Sequence, residues 1–260
     1  KQVMSESTYD NKLRPGYYEN SYANMAAAFV VETERWKLAG EIFPALKGDA
    51  QSSGEQPATG GGHSGHGATQ PASGAGPATV RASSSNQTLP LFVRGLAAAI
   101  SGSAEAEQSL VGMRLLASGG KSGGPQALQI QELEIAALAA SLKQDHDKAV
   151  QLLEQATAIE EALGPPSGPP ALIKPAHELF GEILLRAGRP REAAEQFQTA
   201  LLRQPNRARS LLGMARAAAQ SGDPRGATAA YARFLDQWKQ ADDGLPELRE
   251  AQGYLKQARR

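Results

Sequence analysis

Four histidines and one glycine-framed lysine are the residues whose type and spacing could support chemistry. His63 and His66 fall in Gly60-Gly-Gly-His-Ser-Gly-His-Gly. Neutral imidazoles bind zinc, copper or nickel, but two ligands on a pliable tether hold a metal weakly. The segment reads as low-complexity chain, and no metal site is expected. His146 stands in Asp145-His146-Asp147, the opening of a helix. Gly119-Gly120-Lys121-Ser122 shares the Gly-Lys-Ser of a phosphate loop, yet Leu115 holds the place of that loop's first glycine and no strand precedes it. No nucleophile elbow or dinucleotide fingerprint occurs. With no cysteine, disulfides, thiolate nucleophiles and cysteine-bound zinc are excluded. Asn86-Gln87-Thr88 is an N-glycosylation triplet that matters only in a glycosylating compartment. These residues predict no enzyme, no catalytic residue and no cofactor.

The elements that would position any site are helical. The 260 residues suit one long or two modest domains. Basic and acidic residues balance at 27 each, which leaves no field to draw the chain to nucleic acid or anionic lipid. Hydrophobic residues reach 41%, much of it alanine, while aromatics are 5%, a composition that favours closely packed helices over a sandwich or barrel. No stretch approaches the ~20 apolar residues of a membrane span. The chain opens at Lys1 without a signal-peptide pattern, as a fragment or processed chain would. It is expected to be soluble, cytoplasmic or exported.

Composition divides the chain. Residues 1–47 read as a helix hairpin from about residue 20, with a break near Glu34-Arg35. Residues 48–88 are Gly, Ser, Ala, Pro, Gln and Thr almost throughout, with too little apolar bulk to offset the entropy of ordering, and are expected to be a disordered linker. From Leu89 onward no segment alternates as a strand would. Stops stand at Ser118-Gly119-Gly120, Gly164-Pro165-Pro166, Gly188-Arg189-Pro190, Pro205-Asn206 and Gly222-Asp223-Pro224.

A repeat of 34 residues organises this region. Counted from Lys174, positions eight, twenty, twenty-four, twenty-seven and thirty-two are Gly181, Ala193, Phe197, Ala200 and Pro205. A unit from Ala208 gives Ala215, Ala227 and Tyr231, and one from Ile130 gives Ala137, Ala149 and Leu153. Small residues let paired helices approach, and the bulky one fills the gap against the next unit. The pattern of small, small, large aromatic, small and proline resembles the tetratricopeptide repeat. Lys174-Pro-Ala-His-Glu-Leu-Phe-Gly and Met25-Ala-Ala-Ala-Phe-Val-Val-Glu-Thr-Glu-Arg-Trp are similar to a broad group of bacterial tetratricopeptide proteins, in which such segments form the C-terminal half of a longer chain. The resemblance implies an all-α solenoid of stacked hairpins. Its units would be residues 89–129, a loosely matching pair; 130–173, with a Pro/Gly-rich insertion; 174–207; and 208–241; a capping helix would follow in 242–260. His177, at position four, becomes a packing residue with satisfied hydrogen bonds.

In such a solenoid the first helix of each unit lines a concave groove. Its candidate residues here are Glu134 with Gln131 and Ser141, then Glu178, Glu182 and Arg186, then Arg209, Arg216 and Gln220. The groove would run from acidic to basic and suit a peptide of mixed charge. The carboxylate clamp of co-chaperone repeats is not matched, since Glu178, Glu182 and Leu212 stand where it needs Lys or Asn. The expected function is a protein-interaction scaffold for a peptide or partner protein, with no nucleic acid and no membrane span. Two alternatives stay open: a self-assembling structural protein, in keeping with a homo-oligomer, and an accessory segment of a longer enzyme or regulatory protein.

Overall fold

A computed structural model describes residues 17–44, 84–118, 126–164, 172–242 and 244–258. These residues form eleven helices and no strand. They are α1 (Tyr17–Thr33), α2 (Ala39–Ile42), α3 (Ser84–Ser101), α4 (Glu105–Ser118), α5 (Gln126–Leu142), α6 (His146–Ala162), α7 (Ala176–Arg186), α8 (Pro190–Arg203), α9 (Ala208–Gln220), α10 (Pro224–Gln237) and α11 (Pro246–Ala258). One 3-10 turn, Trp36–Leu38, separates α1 from α2. The expected His63 and His66 segment, most of the low-complexity stretch and the 165–170 insertion lie outside the described residues.

From α3 onward each helix packs on the next in the chain, and the pairs α3/α5, α5/α7 and α7/α9 also touch. That order of packing is consistent with a helical repeat. The ends of the helices follow the punctuation of the sequence. Gly188 and Gly222 take φ of +72° and +79° where α7 and α9 stop, a left-handed turn that glycine adopts without a Cβ penalty. Pro190 and Pro224 then open α8 and α10, where a missing N–H costs nothing. Asp145 and Asp223 cap α6 and α10 by accepting from the backbone N–H of Lys148 and Gly226.

Two expectations need correction. Within the described residues 17–44, α1 breaks at Glu34, as expected, but a 3-10 turn and the four-residue α2 follow in place of a second long helix. The apolar residues 39, 42 and 43 reach the core through this short turn, so a second long helix is not needed to bury them. Helix α3 starts at Ser84, within the stretch assigned to linker, and carries Pro90 inside it. Its first turns are polar, so composition marks the sequence as linker although its end is drawn into helix.

The repeat positions pack as their sizes require. Ala137, Ala149, Gly181, Ala193, Ala215 and Ala227 are buried, and Phe197 and Tyr231 fill the space between helices. Pro205 is exposed at the turn before α9. Gly181 on α7 and Gly213 on α9 face the Phe197 ring from two sides: a Cβ built on either would lie 2.7 Å or 2.2 Å from the ring tip. Gly213, at position six, was not among the residues singled out from the repeat. Its signal in the sequence is a glycine inside an otherwise alanine-rich helix.

Candidate functional site

The candidate groove residues do not share one fate. Glu134 and Glu178 have no exposed surface and Arg209 only 3%. Glu182 is part-buried, Arg186 and Gln220 are exposed, and Arg216 is half-buried against α11. The acidic-to-basic gradient expected along the groove collapses into ion pairs between neighbouring elements, and further elements close over part of that face.

Glu178 is the hub. Its carboxylate accepts from Arg207 Nε at 2.6 Å and Nη2 at 3.0 Å and from the Ser210 hydroxyl at 2.6 Å, with Lys174 Nζ at 3.2 Å. Lys174, just before α7, also donates to Glu182 at 2.5 Å. Arg207 continues the network to Glu32 at the end of α1, 2.7 Å away. Burial alone would raise the Glu178 carboxyl, but Lys174 and Arg207, with the hydrogen bonds from Arg207 and Ser210, bring it down to about 2. Burial acts to lower the Lys174 ammonium, and the Glu182 and Glu178 carboxylates outweigh it and raise the group instead.

Glu134 on α5 lies beside this network without joining it. Both of its oxygens are buried with no hydrogen-bond partner among the described residues. Burial, with the Glu160 and Glu178 carboxylates adding to it against Lys174 and Arg207, pushes it well above the usual glutamate range. A carboxyl raised in the folded chain favours folding below its unfolded value, and that contribution is lost as pH rises from there. Glu134→Gln should therefore raise the melting temperature by a few degrees at neutral pH, about 1 kcal/mol. The gain should shrink as pH falls toward 4, and thermal melts across pH 4–8 would show it. An unchanged or lower melting temperature at pH 8 would refute the assignment of Glu134 as a neutral buried acid.

A second pair of contacts closes the face. Arg209, in the first turn of α9, donates from Nε to the Glu32 carbonyl at 2.7 Å. Its Nη2 lies 3.1 Å from Glu34 and 3.4 Å from Glu247 on α11. The C-terminal end of α1 is thus held on the array by two arginines, and its exposed carbonyl end receives a cation, as a helix C-terminus favours. Burial nevertheless raises the Glu32 carboxyl in spite of Arg207. Further along, Arg216 forms a two-pronged pair with Glu250 at 2.9 and 2.6 Å, and Tyr231 donates to the same carboxylate at 2.7 Å. These bonds fix α11 against α9 and α10. Arg186 reaches the Ser141 hydroxyl at 3.4 Å, and Gln220 stands in solvent.

Sequence reasoning missed Glu32, Glu160, Lys174, Arg203 and Arg207 as members of this charged interior. Arg203 joins Glu160 at 3.2 Å and two backbone carbonyls, while Glu160 accepts from the Ala176 N–H at 2.7 Å and so caps the start of α7. The signal available was charge at helix ends, since each of the five stands within two residues of one.

A largely apolar cleft of about 830 Å³ lies between residues 34–40 and the C-terminal end of α3, with Glu34, the partner of Arg209, on its rim. Among the described residues no three His, Asp, Glu or Cys side chains stand together as metal ligands. No described helix is long and apolar enough to cross a membrane. No protein-family model, curated protein sequence or solved structure matched the chain.

Proposed function

We propose that the protein is an interaction module of the tetratricopeptide type, which receives a polypeptide segment on the face formed by α5, α7 and α9 and carries out no catalysis itself. The observation that supports this reading is the docking of α1. That face already engages a helix end of the same chain, through Arg207 on the Glu32 carboxylate and Arg209 on the Glu32 carbonyl. The chemistry used, arginines on carboxylates and on helix-terminal carbonyls, is the chemistry with which a partner helix would be held. In this reading the C-terminal end of α1, whose body packs on α3, marks where the end of a partner's helix would be held, and the partner competes with that end.

The test vacates the face and offers the helix back. Glu32→Lys/Glu34→Lys sets ammonium groups at the end of α1 and just beyond it, against Arg207 and Arg209. A synthetic peptide of residues 17–44 should bind this variant in trans and bind the unaltered chain at least tenfold more weakly, since the face is occupied there. Adding Arg209→Glu should abolish trans binding. Equal, weak binding to all three proteins by calorimetry would remove the support that α1 gives to the proposal.

A further inference from the structure

His177 and the cleft beside it point to a second site, independent of the charged face. The imidazole sits on α7 about 100° around the helix from Glu178 and is only 3% exposed. Its Nδ1 lies 2.8 Å from the Gln196 amide oxygen, and with that oxygen as acceptor the ring hydrogen sits on Nδ1. Nε2 is then a bare acceptor. It is buried without a hydrogen-bond partner, and 3.3 Å away stands a Glu161 carboxylate oxygen, another acceptor. The packing role expected for this histidine is therefore satisfied on one nitrogen only.

These groups face a cleft of about 330 Å³ between α6 and α8. Its walls carry Glu154 and Glu161 from α6 and Glu195 from α8, and its floor carries Phe180 and Leu184 from α7. Among the described residues Arg189 is the one cation lining the cleft, and it forms a two-pronged ion pair with Glu192. No basic side chain lies at ion-pair distance from Glu154 or Glu195 among the described residues. The cleft thus combines an apolar floor, four carboxylates against one arginine, and a buried imidazole nitrogen without a hydrogen-bond partner. A hydrophobic stem would lie on Phe180 and Leu184, and a cationic donor would satisfy Nε2 and Glu161 together.

We infer that this cleft binds an ammonium group carried on an alkyl chain, of the kind presented by a polyamine or a lysine side chain. The ammonium supplies the hydrogen that the two facing acceptors lack, with Glu154 and Glu195 adding charge. Glu161 is 61% exposed and free to swing with the incoming group.

Nitrogen-15 NMR of the His177 imidazole in the full chain tests this at pH 7.5 and low salt. Without a ligand, Nε2 should be the unprotonated nitrogen. Spermidine and the peptide acetyl-Gly-Lys-Gly-amide are the two probes, with glutarate as the anionic control. Either probe should move the Nε2 resonance saturably, and 0.5 M salt should weaken the effect. In Glu161→Gln/Glu195→Gln the apparent Kd should rise about tenfold; both residues are exposed, so the variant keeps its fold. A response to spermidine alone assigns a free polyamine, and a response to the peptide assigns a partner's lysine. Three outcomes would overturn the site: no response to either probe, an equal response in the variant, or an Nε2 already protonated before any probe is added.

Discussion

Glu178→Ala is expected to lower the folding free energy by about 3 kcal/mol, because it removes the carboxylate that the buried Lys174 and Arg207 share. Its fully buried carboxylate gathers two cations and a hydroxyl within hydrogen-bonding or ion-pair distance. Alanine cannot fill the space, and the two buried cations are left with one carboxylate each, Glu182 for Lys174 and Glu32 for Arg207. Chemical denaturation monitored by circular dichroism should show a lower midpoint with little change in slope. A loss under 1 kcal/mol would mean that the cations relax to solvent and that the interior is less closed than described. The same group sets an acid limit. Its carboxyl, held at about 2 against 4.5 for an ordinary glutamate, contributes stability that is fully present above the ordinary value. That stability drains away as pH falls from about 4.5 toward 2. Glu178→Gln should lose most of this slope while remaining less stable than the unaltered chain at neutral pH.

Phe197→Ala should be comparably severe, at about 3–5 kcal/mol, through the cavity it opens between two helices. The ring is fully buried and fills the space left by the absent side chains of Gly181 and Gly213. The converse change tests the same geometry. Gly213→Ala places a methyl within 2.2 Å of the ring and should cost about 1–3 kcal/mol by overpacking. In the Phe197→Ala background that methyl enters the cavity, so the second change should be neutral or restoring. A double-mutant cycle reads this as a coupling of more than 1 kcal/mol. Additive costs would separate the glycines from the phenylalanine.

The local part of this architecture was legible in the sequence. Gly188-Arg189-Pro190 and Gly222-Asp223-Pro224 each mark the end of one helix and the start of the next through rules that act within a few residues. The spacing of Ala193 and Phe197 against Ala227 and Tyr231 likewise reports burial, because repeated small and large residues answer the same neighbour geometry. The charged interior was much less legible. Glu134, Glu178 and Arg209 were chosen from the right helix faces, yet what those faces meet depends on α1, far away in the sequence. The Arg209 bond to Glu32 spans 177 residues, a separation over which no periodicity operates. His177 shows the same limit: its place on a packing face was readable, whereas the state of Nε2 depends on Gln196 turning its oxygen to Nδ1 and Glu161 a carboxylate oxygen to Nε2.

Arg209 touches both Glu32 and Glu34, which close the first described helix, and Glu247, which opens the last. An array in which each helix meets only near neighbours unfolds like a one-dimensional chain, fraying from either end at a cost set locally. This arginine joins the two ends through a single guanidinium. Fraying at one terminus therefore removes a partner from the other, and the array gains a cooperativity that its repeat lacks. Folding takes on the opposite burden, since a contact of such sequence separation forms late, after the intervening helices have shortened the path between its ends. Arg209→Ala should consequently broaden the equilibrium unfolding transition, in addition to any shift in its midpoint.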